Sequence, residues 1–326
     1  MINKIVCLAP LPVEMIQQLL PGEGLENTDG IEIINANSMN ENEIVDQIKD
    51  ATIIIADFTF NIAVTRPMIH QAKQLKLIQN LSVGYQHIDV DACTEAGVKV
   101  GNTPGANDSG VAEHTVMLGL CLVKKMLYAH RTTREMQWKF TDIQAGEING
   151  KCWGLIGMGS TGKAVAKRLI PFGVNSIYFD INRLNPSLET EYQVKYSEFK
   201  DLLKNADIIS LHCPLTETTK NLIGKAEIQL MKNTSILINV ARGEVVDEQA
   251  VADALKNENI GGAGLDVFSK EPITKDNPLL SVDTDNLILT PHIAGSTMES
   301  QFKIVTMAFE NIRKALSGKV PHYLVN

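Results

Sequence analysis

Cys152-Trp153-Gly154-Leu155-Ile156-Gly157-Met158-Gly159-Ser160-Thr161-Gly162 is the stretch whose reading decides the fold. An apolar run enters a turn carrying three glycines, and a helical pattern through Ala164, Val165, Leu169 and Ile170 follows. The glycines alone would suit an ordinary α/β turn; strand before and helix after turn them into a dinucleotide fingerprint. Each glycine has a mechanical reason. Gly157 permits the tight turn, Gly159 lets backbone approach a pyrophosphate, and Gly162 allows the helix to pack closely on the strand. The phosphates would sit at the helix start, by Ser160 and Thr161, where free N–H groups and the helix dipole favour negative charge.

Pro171-Phe172-Gly173 ends that helix, and residues 176–179 read as the next strand with Asp180 at its carboxyl end. An acid there accepts both ribose hydroxyls and repels a 2′-phosphate, which favours NAD over NADP, although Arg183 stands nearby. Further apolar runs at 207–211, 235–240, 262–267 and 286–290, the last reaching Pro291-His292, alternate with helical patterns. Such runs predict a parallel sheet covered on both faces. Ligands of such sheets bind at the carboxyl ends of the strands. Asp180, His212-Cys213-Pro214, Arg242, Asp266, Glu271 and His292 all fall at or just beyond those ends.

Composition excludes some classes. The 326 residues are 44% hydrophobic, with 30 Lys and Arg against 38 Asp and Glu, a net charge of −8. There is no basic stripe of the kind nucleic-acid binding requires. Cys7, Cys93, Cys121, Cys152 and Cys213 are scattered without metal-type spacing and read as buried thiols of a reducing, cytoplasmic compartment. No metal site is expected. Met1-Ile2-Asn3-Lys4 leads into a short strand without a signal-peptide pattern, and no apolar stretch is long enough to span a bilayer.

The first hundred residues repeat the α/β rhythm without the glycine fingerprint, with strands predicted at 4–8, 32–34, 52–56, 77–81 and 98–100. Breaker clusters at 101–105 and at Gly295-Ser296 divide the chain. Residues 1–101 plus 296–326 are expected to form a substrate domain of flavodoxin-like, doubly wound type; residues 102–295 form the Rossmann domain. Two crossings of the boundary predict a hinge with a cleft between the domains. Asp108 to Leu127 reads as one long helix, apolar almost all round through Val111, Val116, Met117, Leu118, Leu120, Leu122 and Val123. Such a helix needs cover on several sides, and either both domains or a second subunit would supply it; a homodimer is expected.

Ordered motifs now carry a resemblance across nearly the whole chain. They are Gly84-Tyr85-Gln86-His87-Ile88-Asp89, Asn102-Thr103-Pro104-Gly105-Ala106-Asn107, Val111-Ala112-Glu113-His114, and Leu211-His212-Cys213-Pro214-Leu215-Thr216. Asn239-Val240-Ala241-Arg242-Gly243, Gly264-Leu265-Asp266-Val267-Phe268 with Glu271-Pro272, and Pro291-His292-Ile293-Ala294-Gly295 complete the set. The sequence resembles the D-isomer-specific 2-hydroxyacid dehydrogenase family, in particular the catalytic core of the D-3-phosphoglycerate dehydrogenases without their regulatory domain. The resemblance implies hydride transfer between C2 of a small 2-hydroxy acid and the nicotinamide of NAD. It implies His292 as acid and base, a role histidine fills because it titrates in the useful range. Glu271 would hydrogen-bond and orient that imidazole and favour imidazolium, and Arg242 would offer a donor fork to a carboxylate or keto oxygen. Backbone N–H groups near Val83 and Gly84 would meet the substrate carboxylate. Asp266 would hold the nicotinamide carboxamide, with further cofactor contacts implied at Cys213, Pro214, Thr219, Val240, Ala241, Ala294 and Gly295.

Singly, these residues have bland readings: an Arg after a strand is usually solvated or salt-bridged, and Glu-Pro is a common turn. His212, His114 and Glu113 read as packing or supporting groups, and His70, His87, His130 and His322 as structural. Two rival readings share the scaffold. C-terminal-binding corepressors use NAD(H) to set assembly, but this chain lacks their long low-complexity tail. Formate dehydrogenases pair the histidine with a neutral amide, whereas Glu271 is an acid. Phosphoglycerate dehydrogenases usually carry a basic residue after the third strand of the substrate domain. Here that stretch is Ala56-Asp57-Phe58-Thr59-Phe60, with Arg66 nearby as a compensating cation. Reduction of 2-oxo acids with small to medium uncharged side chains is therefore expected, with hydroxypyruvate, glyoxylate and phosphorylated acids as alternatives.

Overall fold

The computed structural model describes residues 3–326; Met1 and Ile2, read above as the lead-in to the first strand, lie outside the described residues. The chain divides into two compact units, Met1–Asn107 with Met298–Asn326, and Asp108–Thr297. Both divisions fall a few residues beyond the predicted breaker clusters.

The first unit holds β1 (Asn3–Cys7), β2 (Ile31–Asn35), β3 (Ile53–Ala56), β4 (Leu77–Asn80) and β5 (Lys99–Gly101) in the parallel order β2-β1-β3-β4-β5. That is the flavodoxin-like order. Strands β3 and β4 are buried along their whole length, which explains why Ile53-Ile54-Ile55 reads as a continuous apolar run rather than an alternation. The final helix, Met298–Leu316, returns to this unit and buries Ala308, Phe309 and Ile312 against Ile5, Ile53 and Leu77. Beyond it the tail lies along the edge of β5: Val325 N–H donates to the Val100 carbonyl at 2.8 Å, and the Asn326 side chain accepts from Val100 N–H at 2.8 Å. The last strand of the sheet is thereby covered, which removes a free pairing edge.

The second unit holds β6 (Cys152–Ile156), β7 (Asn175–Phe179), β8 (Val194–Tyr196), β9 (Ile208–Leu211), β10 (Ile236–Asn239), β11 (Gly262–Leu265) and β12 (Leu287–Leu289). All pair in parallel in the order β12-β11-β10-β9-β6-β7-β8. The chain reverses direction across the sheet at β6 and β9, where doubly wound sheets bind their ligands. Strand β8 has no counterpart in the sequence reading. It is three residues long at the sheet edge, too short to show a period.

The long apolar helix differs from expectation. It runs over Asp108–Val123 and ends where Lys125 takes a left-handed conformation, φ 53°; a separate helix, Met126–Arg134, follows. Much of its cover comes from elements of the second unit. One flank packs on the helix Ser160–Leu169, and another lies on β10 and β11, with Gly119 so close to Trp153 that a Cβ there would lie 2.5 Å from the ring. Met117 remains 43% exposed, so one strip of the helix is left open. No helix among the described residues is long and apolar enough to cross a membrane.

Candidate active site

The glycine turn has the geometry its sequence demands. Gly157 adopts φ +95°, and a Cβ there would lie 2.7 Å from the Cys213 nitrogen; a Cβ at Gly162 would lie 2.1 Å from the Gly157 carbonyl oxygen. Neither contact is tolerable, so both positions need glycine. Gly159 faces open space, with nothing within 4 Å of a built Cβ. The helix starts at Ser160 with no side chain capping it, so its first N–H groups face that space. This cradle fits a pyrophosphate. Asp108 steadies the turn by accepting from Ser160 Oγ at 3.2 Å and Thr161 Oγ1 at 2.7 Å, a partner that local spacing does not reveal. Asp180 stands at the end of β7, where one oxygen accepts from Met158 N–H at 2.7 Å and the other from Asn182 N–H at 2.8 Å. Two backbone donors fix the carboxylate and leave lone pairs for ribose hydroxyls. Arg183 is drawn elsewhere: it pairs with Glu189 at 3.1 Å and lies 5.0 Å over the Tyr196 ring. His212 and Cys213 border Gly157, and Thr219 closes the loop after them by donating to the Pro214 carbonyl at 2.6 Å.

Beyond the ends of β10, β11 and β12 three side chains converge. Gly243 admits this convergence, since a Cβ there would lie 1.8 Å from the Phe268 carbonyl carbon. The segment carrying Glu271 can therefore pass directly against the residue after Arg242. His292 Nδ1 lies 2.7 Å from Glu271 Oε2. With the proton assigned to Nδ1, Nε2 is the ring nitrogen left to face a reacting group. Burial pushes the Glu271 carboxyl up, but the bonds from His292 and Phe268 N–H, with the charge of Arg242, outweigh it and hold the group below its usual range. A carboxylate thus sits behind the imidazole. Arg242 is partly buried, which disfavours its charge, while Glu271 supports it. One of its nitrogens donates to the Ala241 carbonyl at 2.7 Å, and among the described residues the guanidinium forms no ion pair, so most of its donor fork remains available.

His292 has φ 54°, uncommon for a residue with a side chain. Asp266 holds it there. Its carbonyl accepts from His292 N–H at 2.8 Å. Its carboxylate, 1% exposed, accepts from Thr290 Oγ1 at 2.5 Å, Ile293 N–H at 2.9 Å and Ala294 N–H at 2.8 Å. Sequence reading assigned Asp266 to the carboxamide alone and missed this anchoring, because the partners lie more than twenty residues away and two are backbone groups. Thr290 and His114, 3.1 Å apart, complete the support. Burial pushes the His114 imidazole down, against the opposing charge of Asp266. His212 acts similarly beneath the glycine turn: Ser210 Oγ lies 2.8 Å from its Nε2 and accepts from Trp153 Nε1 at 2.9 Å. Burial pushes this imidazole down to about 3. Val240, Ala241 and Ala294 are buried and shape the backbone around these groups.

Val83 and Gly84 lie in the first unit, in the bend after β4. In the same unit, just after β3, Asp57 is fully buried and accepts from Thr59, Asn61 and Ile62 N–H groups at 3.0–3.1 Å, so its charge caps its own loop instead of facing outward. Arg66 is committed to Glu95 and, at 3.5 Å, to Asp89. Phe60, with φ 63°, sets its ring edge-on to His87 at 4.7 Å.

Residues 116–294 match the family model described as D-isomer specific 2-hydroxyacid dehydrogenase, NAD binding domain. A D-3-phosphoglycerate dehydrogenase of Methanocaldococcus jannaschii is 38% identical over 302 residues, which are 93% of this chain but only 56% of that protein. The chain therefore spans little more than half the length of that relative. A glyoxylate reductase of Korarchaeum cryptofilum is 36% identical over 87% of this chain and 85% of its own. Among solved structures, D-lactate dehydrogenase from Aquifex aeolicus complexed with NAD and lactic acid is similar with a TM-score of 0.85 at 31% identity, covering 99% of both chains. This chain belongs to the D-isomer-specific 2-hydroxyacid dehydrogenase family, NAD-dependent oxidoreductases that act on CH–OH groups.

Proposed function

We propose that the protein is an NAD-dependent 2-oxoacid reductase, working reversibly as a D-2-hydroxyacid dehydrogenase, on acids with small to medium uncharged side chains. The observation that carries the reading is the 2.7 Å contact between His292 Nδ1 and a Glu271 carboxylate held ionised. Bound NADH supplies the hydride. The chain's own residues handle the proton and the charge. His292 Nε2 gives a proton to the oxygen that forms at C2 and takes it back in the reverse direction, while Glu271 stabilises the imidazolium. Arg242 polarises the keto oxygen with its free donors, and the substrate carboxylate is assigned to the Val83 and Gly84 N–H groups. Ser160, Thr161, Asp180 and the loops at Cys213–Thr219 and Ala294–Gly295 are assigned to the cofactor, with Asp266 both anchoring the His292 loop and bordering the carboxamide.

The paired Arg66 supports an uncharged side chain. With Arg66 engaged by two carboxylates, the stretch after β3 offers no free cation to a substrate phosphate. Asp57 turns its carboxylate onto its own loop, so it does not itself repel a substrate phosphate. Among relatives, phosphoglycerate dehydrogenase and glyoxylate reductase names both occur, so the choice is experimental. Comparing kcat/KM for pyruvate, 2-oxoisocaproate, phenylpyruvate, glyoxylate, hydroxypyruvate and 3-phosphohydroxypyruvate with NADH decides it. Preference for the phosphorylated acid would sink the proposal, and absence of turnover with all six would favour a cofactor-sensing role.

We place the protein in the cytoplasm as a homodimer. Five unpaired cysteines support a reducing compartment. Self-association is supported by exposed apolar side chains on the second unit: Met117 at 43%, Phe172 at 41%, Met136 at 93%, Trp138 at 81% and Phe140 at 70%. Light scattering on the purified protein tests this, and a monomer at micromolar concentration would refute it.

A further inference from the structure

We propose that Asn80 and Asn102 are positioning residues that lock the bend after β4 into an anion-binding nest; the proposal rests on the reading that Val83 and Gly84 receive the substrate carboxylate. Three successive carbonyls in this bend are drawn toward the body of the unit. The Ser82 carbonyl accepts from Thr103 N–H at 3.2 Å. The Val83 carbonyl accepts from Asn102 Nδ2 at 2.9 Å. The Gly84 carbonyl accepts from Asn80 Nδ2 and from Ser82 Oγ, the latter at 2.8 Å. A trans peptide sets each N–H opposite the carbonyl before it. Holding these three oxygens inward therefore turns the N–H groups of Val83, Gly84 and Tyr85 outward, and none of the three has a hydrogen-bond partner among the described residues. Successive outward N–H groups form an anion-binding concavity.

Two features mark the asparagines as placed for this task. Asn80 is fully buried and its Oδ1 has no partner, while its Nδ2 is engaged. Flipping the amide would set its oxygen against the Gly84 carbonyl, acceptor against acceptor, and would put its N–H groups where Oδ1 now finds no partner. The fold thus keeps the donor in place at the expense of an unpaired buried acceptor, which native structures rarely tolerate. Asn102 is itself tied down: its backbone N–H donates to the Tyr323 carbonyl at 3.2 Å, and that carbonyl also accepts from the buried Asn311 side chain at 3.2 Å. Asn311 in turn donates to Gln79 Oε1 at 3.0 Å, and Gln79 donates to the Asn80 carbonyl at 2.9 Å. The tail of the chain and the end of β4 are braced together, with the two asparagine donors at the inner side of the bend.

The test uses the full chain, labelled with 15N-valine and 15N-glycine and saturated with NADH, with oxamate as a non-reacting carboxylate probe. In the wild type, oxamate should shift the Val83 and Gly84 amide resonances. In Asn80→Ala and Asn102→Ala those shifts should shrink, and KM for the best 2-oxo acid should rise roughly tenfold with kcat little changed, as loss of one hydrogen bond to the bend implies. Asn80→Asp and Asn102→Asp keep the size but replace the donor with an acceptor, and should be impaired at least as much; a packing role predicts that they recover. Wild-type KM and wild-type oxamate shifts in the alanine variants would overturn the positioning role and leave the carboxylate reading standing. Oxamate binding that leaves Val83 and Gly84 unmoved in the wild type would overturn the carboxylate reading itself. NADH affinity falling in step with KM would mark general destabilisation and also overturn the proposal.

Discussion

Asp266→Asn is the substitution that most directly separates anchoring of the catalytic loop from contact with cofactor. The carboxylate accepts three hydrogen bonds, from Thr290 Oγ1, Ile293 N–H and Ala294 N–H, with 1% of the side chain exposed. An amide of the same shape keeps one oxygen. If that oxygen stays toward Thr290 and Ile293, the new NH2 faces the Ala294 N–H, which sits 2.8 Å from the carboxylate, and two donors are left unpaired. Hydrogen bonds to a charged acceptor contribute about 1.5–3 kcal/mol each, and an unpaired buried donor costs about 1–3 kcal/mol. One bond lost and two weakened therefore predict about 2–4 kcal/mol of destabilisation. For a unit of this size that is a fall in melting temperature on the order of 5–15 °C. His292 shares the loop, and its left-handed backbone relaxes when the anchor weakens, so kcat should fall at least about tenfold, as misplacement of a reacting group by an ångström can cost more. Calorimetry, NADH titration and steady-state kinetics on the purified variant measure all three. An unchanged melting temperature with wild-type kcat would refute the anchoring role. An unchanged melting temperature with NADH binding lost would assign Asp266 to the cofactor instead.

His292→Ala should lower kcat by ~10²–10⁴-fold while NADH titration gives a wild-type Kd, because the imidazole serves the substrate proton; equal loss of both would point to a structural role. Wild type should prefer NADH to NADPH, and Asp180→Ala should narrow that preference mainly by raising KM for NADH; equal use of both by the wild type would mean that Arg183 leaves Glu189 to bind a phosphate. His212, held down to about 3 from 6.5, stays neutral in the fold but takes a proton when unfolded, so its contribution to stability is complete above pH 6.5 and is lost as pH falls toward 3. Urea unfolding at pH 7, 5.5 and 4.5 should show a component of up to about 1.4 kcal/mol per pH unit that His212→Gln removes; an unchanged slope in the variant would mean that the imidazole is not buried neutral.

The α/β class, the two sheets and the dinucleotide turn were legible in the sequence because each depends on neighbours along the chain. Gly162 is required by its contact with the Gly157 carbonyl within one turn and Gly157 by its own positive φ, although the backbone a Gly157 side chain would strike belongs to His212 and Cys213; the buried parallel strands announce themselves as apolar runs such as Ile236–Asn239. Arg242, Glu271 and His292 could be singled out because they follow strand ends in fixed motifs. Where local spacing carries no information, tertiary structure decided. The short edge strand Val194–Tyr196 is made a strand by pairing with Asn175–Phe179, and the break at Lys125 is a backbone conformation rather than a breaker residue. The roles of the acids were the least legible in the sequence. Asp57 turns into its own loop, Asp108 steadies the glycine turn, and Asp266 holds the segment that presents His292. A carboxylate's task is set by the donors that reach it in space, and most of those donors are backbone N–H groups, which every residue but proline carries and which therefore leave no mark in a sequence.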